Sequence, residues 1–459
     1  MLEGLEISVV KLSEVIKSSY SSRWDSFYFQ KEFLKDEKIF ETWESLENIA
    51  KIKSGTTPKE RDETLKTGVV LLKTNDIRNN ILLDKGDDYF YISEATNNEM
   101  LSSQIESNDI LINIVGATTE VVGRVSFVPQ NFKKANITQA MSFIRLTDSK
   151  YSPFFVFIFL QTKYGLKQTR RIARPTGQYN INNIELGSYK VPSVSDTFQS
   201  KIESIVKSAH AKLEESKSLY SQAEDLLLGE LGLKDWQPKN TLHTTKKFSD
   251  FAQSGRLDAE YYQPKYDEIE KAIKSYKGGY DIVSNLFNQN LDVCDYKKTE
   301  YNYVEIGDVN VGDGSVSFNK VDTSELPDNA KRVLHKNDIL ISKVRPYRGA
   351  VAIIDFEQED LIGSGAFTVL QEKSSYKKET LQILFRTAVY KDWLLKWNVG
   401  SSYPVIKDED ILNLPIPILP EQIQKKIASL IQQSFEYKAQ SKQLLEDAKR
   451  MVETEIEKN

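Results

Sequence analysis

The chain has 459 residues, and its 61 Lys plus Arg against 66 Asp plus Glu give a formal net charge of −5. Its length predicts two to four domains of about 150 residues each, and 40% apolar with 28% charged residues excludes collagen-like and wholly disordered chains. The apolar runs are shorter than the roughly 20 residues that span a membrane, no signal peptide is expected, and the lone Cys294 favours the cytoplasm.

Residues 1–192 are predicted to form a mixed α/β domain. Runs of β-branched and apolar residues predict strands over Val69 to Lys73 and Asp109 to Val115, with turn residues between them. A polar turn follows the earlier strand. Its candidate DNA contacts are Lys73, Thr74 and Arg78.

A basic cluster lies further along the same domain. Its five cations span twelve residues without an acid, and they are Lys163, Lys167, Arg170, Arg171 and Arg174. Such cations can bind phosphates, although a solvated helix face is the ordinary interpretation of a charge run. The turn that follows adds Gln178, Tyr179 and Asn180 as candidates, because amide side chains suit adenine edges.

A long helix is predicted over 193–235, with Ser195 or Asp196 as its N-cap. Its apolar and small residues recur on average every 3.5 residues, which is the period of a coiled coil. The large members of this stripe are Ile202, Val206, Leu213, Tyr220 and Leu227. A linker is predicted at 236–255.

The rest of the chain repeats the first part with a falling offset. The matches include Arg23, Asp25 and Tyr28 with Arg256, Asp258 and Tyr261 (offset 233), Asp76 with Asp308 (232), Asn108-Asp109 with Asn337-Asp338 (229), and Ser216 with Ser441 (225). Loop deletions shorten an offset in one direction, whereas chance matches scatter. We therefore predict two homologous halves. Because the basic neighbours of Asp76 are missing around Asp308, both aspartates are predicted to be turn caps.

The second mixed domain is predicted at 256–418. After a strand over Asp338 to Val344, a turn containing Pro and Gly carries the candidate contacts Lys343, Arg345, Tyr347 and Arg348. Two arginines beside a tyrosine can bind phosphate and guanine, and a plain surface turn is the alternative. Further candidates at the place of the first half's Gln178 turn are Lys391, Lys396, Ser401 and Tyr403.

A second long helix is predicted at 419–459 with the same stripe, at Ile427, Ile431, Leu445 and Val452. Lys438 interrupts the stripe, and a lysine there can extend out of a helix seam. The predicted fold class is α+β, with two homologous mixed domains separated by two antiparallel coiled-coil helices and related by a pseudo-two-fold axis. Two unpaired amphipathic helices are the alternative.

Motifs for catalysis are missing from the sequence. It contains no phosphate-binding loop of the form G-x-x-x-x-G-K-[ST] and no G-x-S-x-G elbow, and three histidines with one cysteine cannot form a common zinc site. We therefore expect no catalytic residue, metal or cofactor on this chain. His335 is predicted to be a surface side chain and Cys294 a packing residue.

Several short motifs occur in an order typical of one protein family. They are Lys53-Ser54-Gly55-Thr56-Thr57-Pro58, Thr74-Asn75-Asp76-Ile77, Asn108-Asp109-Ile110-Leu111 with its repeat, Arg345-Pro346-Tyr347-Arg348-Gly349-Ala350, and Leu414-Pro415-Ile416-Pro417 leading to Pro420-Glu421-Gln422 and Ile427. With them, nearly the whole chain resembles the specificity (S) subunits of type I restriction-modification systems. The first half departs at Val191-Pro192, which no Glu-Gln pair follows.

The resemblance implies a non-catalytic adaptor that reads double-stranded DNA. Each half would read one part of a bipartite, non-palindromic site, and the helix pair would set the spacer and bind two methyltransferase (M) subunits. Those subunits would carry S-adenosylmethionine and methylate adenine, and restriction (R) subunits using ATP and Mg would join them. The alternatives are a specificity subunit of a combined methyltransferase-nuclease, a duplicated scaffold that does not bind DNA and, third, a self-sufficient nuclease.

Overall fold

The structure is a computed structural model that describes residues 9–18, 23, 25–59, 62, 64–65, 67–83, 89–119, 121–175, 177–239, 241, 243–400 and 403–458. The chain divides into two compact units, Met1–Glu214 with Ala439–Asn459 and Glu215–Lys438. The division therefore falls inside the two longest helices. The predicted Ser401 contact lies outside the described residues.

The first unit contains short helices and strands in a mixed order. The helices are α1 (Leu12–Ser18), α2 (Lys31–Phe40), α3 (Leu46–Ile49), α4 (Glu94–Glu99), α5 (Pro153–Phe159), α6 (Lys163–Ile172) and α7 (Asn183–Gly187). The strands are β1 (Glu44–Ser45), β2 (Ala50–Ser54), β3 (Val69–Leu72), β4 (Asn80–Ile81), β5 (Tyr91–Ile92), β6 (Ile110–Asn113), β7 (Val115–Gly116), β8 (Val125–Phe127), β9 (Ala135–Ile137), β10 (Met141–Leu146), β11 (Arg174–Pro175), β12 (Tyr179–Asn180) and β13 (Lys190–Val191).

The main sheet of the first unit has the strand order β2-β10-β6-β8-β4, and a second sheet has the order β5-β3-β9. The strand β6 is buried at every position, which explains why its sequence is a continuous apolar run rather than an alternating one. Helix α5 is likewise buried over Phe155–Phe159 and packs with one face of the main sheet in a single core. Strands β3 and β6 confirm the two strands predicted for this domain.

The long helix α8 (Asp196–Leu231) follows the first mixed region. Its first turn is capped by Ser195, whose hydroxyl accepts the Phe198 N–H at 3.3 Å, as predicted. After it come the second unit's helices α9 (Phe248–Ser254), α10 (Pro264–Lys274), α11 (Val283–Leu286), α12 (Lys378–Arg386), α13 (Ala388–Trp393) and α14 (Asp408–Leu412), and the last long helix α15 (Glu421–Lys458). Helix α9 lies inside the segment that the sequence predicted as a linker.

The second unit's strands are β14 (Tyr280–Ile282), β15 (Phe287–Gln289), β16 (Glu300–Val304), β17 (Asn319–Asp322), β18 (Ala330–Val333), β19 (Ile339–Ser342), β20 (Val351–Ile353), β21 (Leu361–Ser364), β22 (Phe367–Glu372) and β23 (Pro415–Pro417). They form one sheet of order β15-β22-β19-β20 and another of order β17-β16-β21-β18, in which β16 and β21 run parallel. The predicted strand over Asp338 to Val344 is confirmed as β19.

Each of the two matching Asn-Asp motifs lies directly before a strand, β6 in the first unit and β19 in the second. Asn108 and Asn337 adopt left-handed φ angles of 69° and 75°, which asparagine tolerates better than most residues. The next residue is buried in both units: Asp109 accepts the Glu106 N–H at 2.7 Å, and Asp338 accepts the His335 N–H at 2.9 Å. These aspartates therefore shape turns inside the domains.

The two long helices pack together within each unit. In the first unit the Ser441 hydroxyl donates to the carbonyl of Ala209 at 2.7 Å. In the second unit the Ser216 hydroxyl donates to the carbonyl of Ser434 at 2.7 Å, and the Ser434 hydroxyl donates back to the Ser216 carbonyl at 2.8 Å. Small side chains at these positions let two helix backbones approach closely.

The predicted stripe residues of both helices face the interior. Leu213 and Tyr220 are half-buried, and the remaining members are buried: Ile202, Val206, Leu227, Ile427, Ile431, Leu445 and Val452. Lys438 turns aside, and its ammonium binds Asp313 and, at 2.5 Å, Ser315. Burial alone would raise the pKa of Asp313, but Lys438 and Ser315 lower it below its usual range.

Candidate nucleic-acid interface

One set of candidate contacts lies on the turn after β19, residues 343–349, which we call the arginine turn. Arg345 is held in the left-handed region at φ 48° and ψ 54°, and its N–H donates to the carbonyl of Pro404 at 2.8 Å. Gly349 closes the turn at φ 71°, where a Cβ atom would also lie 2.8 Å from Lys391 Cδ. A left-handed arginine costs about 1–3 kcal/mol and persists only where its surroundings impose it.

The side chains of this turn form an aromatic and cationic surface. The Arg345 guanidinium lies 4.8 Å from the ring centre of Tyr403, and Tyr347 and Tyr403 are 38% and 58% exposed. Arg348 is exposed as well. In the part of the chain that the structure describes, no carboxylate lies within 4.0 Å of either arginine's guanidinium. Arg348 is therefore the more accessible of the two charges, since Arg345 is half-buried.

The predicted lysines around the arginine turn have partners within the unit. Lys343 contacts Asp408 at 3.1 Å, and Lys396 contacts Glu270 at 3.7 Å. Lys391 lies beside Gly349. Burial raises the pKa of Glu224, and the positive charges of Arg386 and Lys391 partly offset that rise. These lysines surround the turn rather than extend its exposed surface.

A buried arginine that sequence reasoning missed supports the arginine turn from behind. Arg386 is 9% exposed, and its guanidinium donates to the carbonyls of Gly349 at 3.2 Å and Val311 at 2.8 Å and to the Tyr220 hydroxyl at 2.5 Å. The sequence signal that could have identified it is a charged residue directly after Leu381–Phe385, a segment that is apolar except for Gln382. Charged side chains are seldom buried without such donors and acceptors around them.

In the first unit, every cation of the basic cluster has a carboxylate partner. The pairs are Lys163 with Glu457, Lys167 with Asp36 at 2.6 Å, Arg170 with Glu32 at 3.8 Å, Arg171 with Glu37 at 2.5 Å, and Arg174 with Glu185. Three of these acids belong to helix α2, which packs against α6. The acid-free sequence window therefore does not correspond to an acid-free surface.

Two groups of first-unit candidates remain exposed. Gln178 and Asn180 are exposed and Tyr179 is half-buried on strand β12, which pairs with β11 and β7. Lys73 lies 3.8 Å over the Phe90 ring, Thr74 is half-buried, and the exposed Arg78 donates from Nε to the Asn75 carbonyl at 3.1 Å.

The remaining structural predictions at these sites are confirmed. Asp76 caps its turn by accepting the Lys73 N–H at 2.8 Å, and Asp308 accepts the Glu305 N–H at 2.9 Å. The His335 side chain is 51% exposed. Cys294 is buried in a small cluster with Tyr301 and Tyr303.

Among the residues that the structure describes, no group of three or more His, Cys, Asp or Glu side chains is placed to hold a metal ion. None of their helices is both long enough and apolar enough to cross a membrane.

Comparison with known proteins gives one family and several solved structures. Residues 281–449 match the family described as the type I restriction modification DNA specificity domain. No curated protein matches the chain. A type I restriction-modification S subunit from M. genitalium is 13% identical, with 90% of this chain and 94% of that chain covered and a TM-score of 0.39.

Two further solved structures are similar at the same level. One, described as a basis for complex assembly and conformational transition of the type I R-M system, is 15% identical over 90% of this chain and 97% of that chain, with a TM-score of 0.30. The HsdS subunit from Thermoanaerobacter tengcongensis is 14% identical over 91% of this chain and 95% of that chain, with a TM-score of 0.28.

Proposed function

We propose that the chain is the non-catalytic DNA specificity subunit of a type I restriction-modification complex. The match of residues 281–449 to the type I restriction modification DNA specificity domain supports this proposal and agrees with the resemblance in the sequence. The two halves of the chain would read the two parts of a bipartite, non-palindromic site on double-stranded DNA. The observation that carries this proposal is the arginine turn, where the half-buried Arg345 has a strained backbone and its guanidinium lies over the Tyr403 ring.

The arginine turn has the chemistry that DNA recognition requires. A guanidinium without a carboxylate partner can bind a phosphate or, through two hydrogen bonds, the O6 and N7 edge of guanine. The contact with the Tyr403 ring restricts the guanidinium of Arg345. Tyr347 and Arg348 extend the same exposed surface. We assign these four side chains to the second half of the DNA site.

In the first half, we assign the base contacts to Gln178 and Asn180, whose amides are exposed. Lys73, Thr74 and Arg78 would act at the neighbouring phosphates. Lys163 and Arg170 of the basic cluster can still take part, because their ion pairs are exposed, an exposed pair is worth only about 0–1 kcal/mol, and a phosphate can displace the carboxylate. Arg170, whose pair with Glu32 is the longest at 3.8 Å, is the first of these to consider.

We propose that the two long helices form the antiparallel coiled coil with pseudo-two-fold symmetry that the sequence predicts, and the serine contacts within each unit support their pairing. As the position on α8 rises from Ala209 to Ser216, its partner on α15 falls from Ser441 to Ser434. The repeat offset of 225 converts the first contact into the second, since 209 + 225 = 434 and 216 + 225 = 441. We propose that this coiled coil fixes the spacer between the two half-sites and that its outer faces bind two M subunits.

The partners supply the chemistry that this chain is proposed to lack. The M subunits would hold S-adenosylmethionine and methylate adenine, and R subunits would use ATP and Mg. We place this complex in the cytoplasm, where it meets DNA. A chain that serves a combined methyltransferase-nuclease would use the same interface with a different partner.

Mapping of methyladenine across the genome tests the proposal in cells with the gene, without it, and with R345A/R348A. We expect one bipartite motif to disappear without the gene and to weaken or lose bases in one half in the double variant. Loss of both arginines with an unchanged motif would contradict the assigned interface. An unchanged map after deletion, in cells that express the chain and its methyltransferase, would favour the duplicated scaffold.

A further inference from the structure

The repeated Arg-x-Asp-x-x-Tyr motif makes a compact cluster in the first unit that the DNA contacts do not explain. The Arg23 guanidinium binds both carboxylate oxygens of Asp25 and donates to the Ile172 carbonyl at 2.8 Å. Asp25 also accepts the Tyr28 N–H at 3.1 Å. Arg23 is buried, and it joins the start of the described chain to the last residue of helix α6, 149 residues away.

The second unit contains the same cluster at the matching residues. The Arg256 guanidinium donates to Asp258 at 2.6 and 2.9 Å and to the carbonyls of Trp397 and Asn398 at 3.3 and 2.8 Å. Asp258 accepts the Tyr261 N–H at 3.1 Å. The acceptor carbonyls also match, because 172 + 225 = 397.

A second cation completes each cluster on the tyrosine ring. Arg171 lies 4.2 Å from the ring centre of Tyr28 and pairs with Glu37. In the second unit, Lys396 lies 5.4 Å from the ring centre of Tyr261 and pairs with Glu270.

These cations and acids keep the repeat offsets, since 171 + 225 = 396 and 37 + 233 = 270. The two units therefore repeat a complete arrangement of arginine, aspartate, tyrosine, second cation and glutamate. Because the two halves are predicted to be homologous, the recurrence indicates that both units have kept this contact set.

The arginine of each cluster binds backbone carbonyls a few residues before candidate DNA contacts of the same unit. Ile172 is followed by strand β11 and then by Gln178 and Asn180. Trp397 and Asn398 are followed by Val399. The backbone of Val399 exchanges hydrogen bonds of 2.9 and 3.2 Å with that of Val405, which lies two residues after Tyr403 in the sequence. In both units, the guanidinium fixes the origin of the contact segment.

We propose that Arg23 and Arg256 are positioning residues, each of which fixes the DNA-contacting segment of its own half and so sets base specificity there. This inference rests on the proposed function and goes beyond it by separating a positioning group from the contact residues. It also gives Arg171 and Lys396 a role in supporting the tyrosine instead of a direct role at phosphate. A lysine cannot replace the arginine, because one ammonium cannot span a bidentate carboxylate and the carbonyls together.

The test uses the full chain expressed with its methyltransferase, with methyladenine mapping as the readout. The variants are R23K and R256K, and the matched control is R332K, which alters an arginine that donates to the Leu291 carbonyl at 2.7 Å in the second unit. We expect R256K to raise methylation at sites with one mismatch in one half of the motif at least 5-fold, with the other half unchanged. R23K should relax the opposite half, and R332K neither.

Each other result has a defined meaning. Wild-type motifs in both variants, or equal relaxation of both halves by either variant, would overturn the positioning role. Because R256K could lower the soluble yield, D258N repeats the test with a neutral side chain of the same shape; relaxation of the same half supports the proposal, and an intact motif overturns it. No bipartite motif in the unaltered strain that depends on the gene would instead overturn the proposed function.

Discussion

Removal of Arg345 and Arg348 should change how DNA affinity depends on salt. Each phosphate contact contributes about 0.9 to the slope of log affinity against log salt concentration. If Arg345 and Arg348 each bind one phosphate, R345A/R348A lowers the magnitude of the slope by about 1.8. Between 50 and 200 mM salt, the unaltered chain should then lose roughly 12-fold more affinity than the variant.

Fluorescence anisotropy with a duplex that contains the mapped motif measures both slopes. The matched control is K297A/K320A, which removes the same charge from the same unit at lysines paired with Asp295 and Glu300. We expect the control slope to equal that of the unaltered chain. If the two double variants reduce the slope equally, net charge and not the arginine turn is responsible; if neither reduces it, the turn does not bind phosphate.

Three further outcomes concern stability and are measured by urea unfolding of the purified chain. S216A removes one member of the reciprocal serine pair and should cost about 1 kcal/mol, whereas S216L overpacks the close helix contact and should cost roughly 1–3 kcal/mol; equal stability of all three chains would contradict a close seam. R386M removes the Arg386 donor from the Val311 carbonyl and one of the two donors of the Gly349 carbonyl, which keeps the Val351 N–H, and should cost about 1–3 kcal/mol; no loss would show that Arg386 does not support the turn. The Arg256 hydrogen bonds lower the pKa of Asp258 below its usual 3.8, so its carboxylate stabilises the fold above that pH and ceases to do so as the pH falls through the lowered pKa. The difference in unfolding free energy between the unaltered chain and D258N should therefore be present at pH 6 and shrink below pH 3.8, and a difference that grows in acid would reverse the assigned sign.

The sequence predicted the frame well where one local pattern decides the structure. Apolar runs identified β6 and β19 because these strands are buried on both faces. The 3.5-residue period placed α8 and α15 within a few residues of their ends, since caps and periodicity are local signals.

The electrostatics of the basic cluster could not be predicted in the same way. An acid-free window of twelve residues says nothing about acids that the fold brings from elsewhere, and Asp36 and Glu37 lie about 130 residues away in sequence. For the same reason, the sequence did not reveal that Arg386 supports the arginine turn. Arg386 acts through carbonyl groups, which every residue has and no sequence pattern marks.

Residues that match between the two predicted halves have structural roles, whereas candidate DNA contacts differ between them. The matched Asp76 and Asp308, Asp109 and Asp338, and Arg23 and Arg256 all bind groups inside their own unit. Their task is the same in both halves, because each half must build the same frame.

The exposed candidates differ between the halves. The offset of 225 pairs Gln178 with Tyr403. Beneath the surface, it pairs the buried Gln161, which donates to the Phe157 carbonyl, with the buried Arg386 that supports the arginine turn. Two frames of one kind that carry different surfaces would read two different base sequences. A non-palindromic site therefore follows from the proposed function: if the mapped motif has two identical half-sites in inverted orientation, Gln178 and Tyr403 are not its readers.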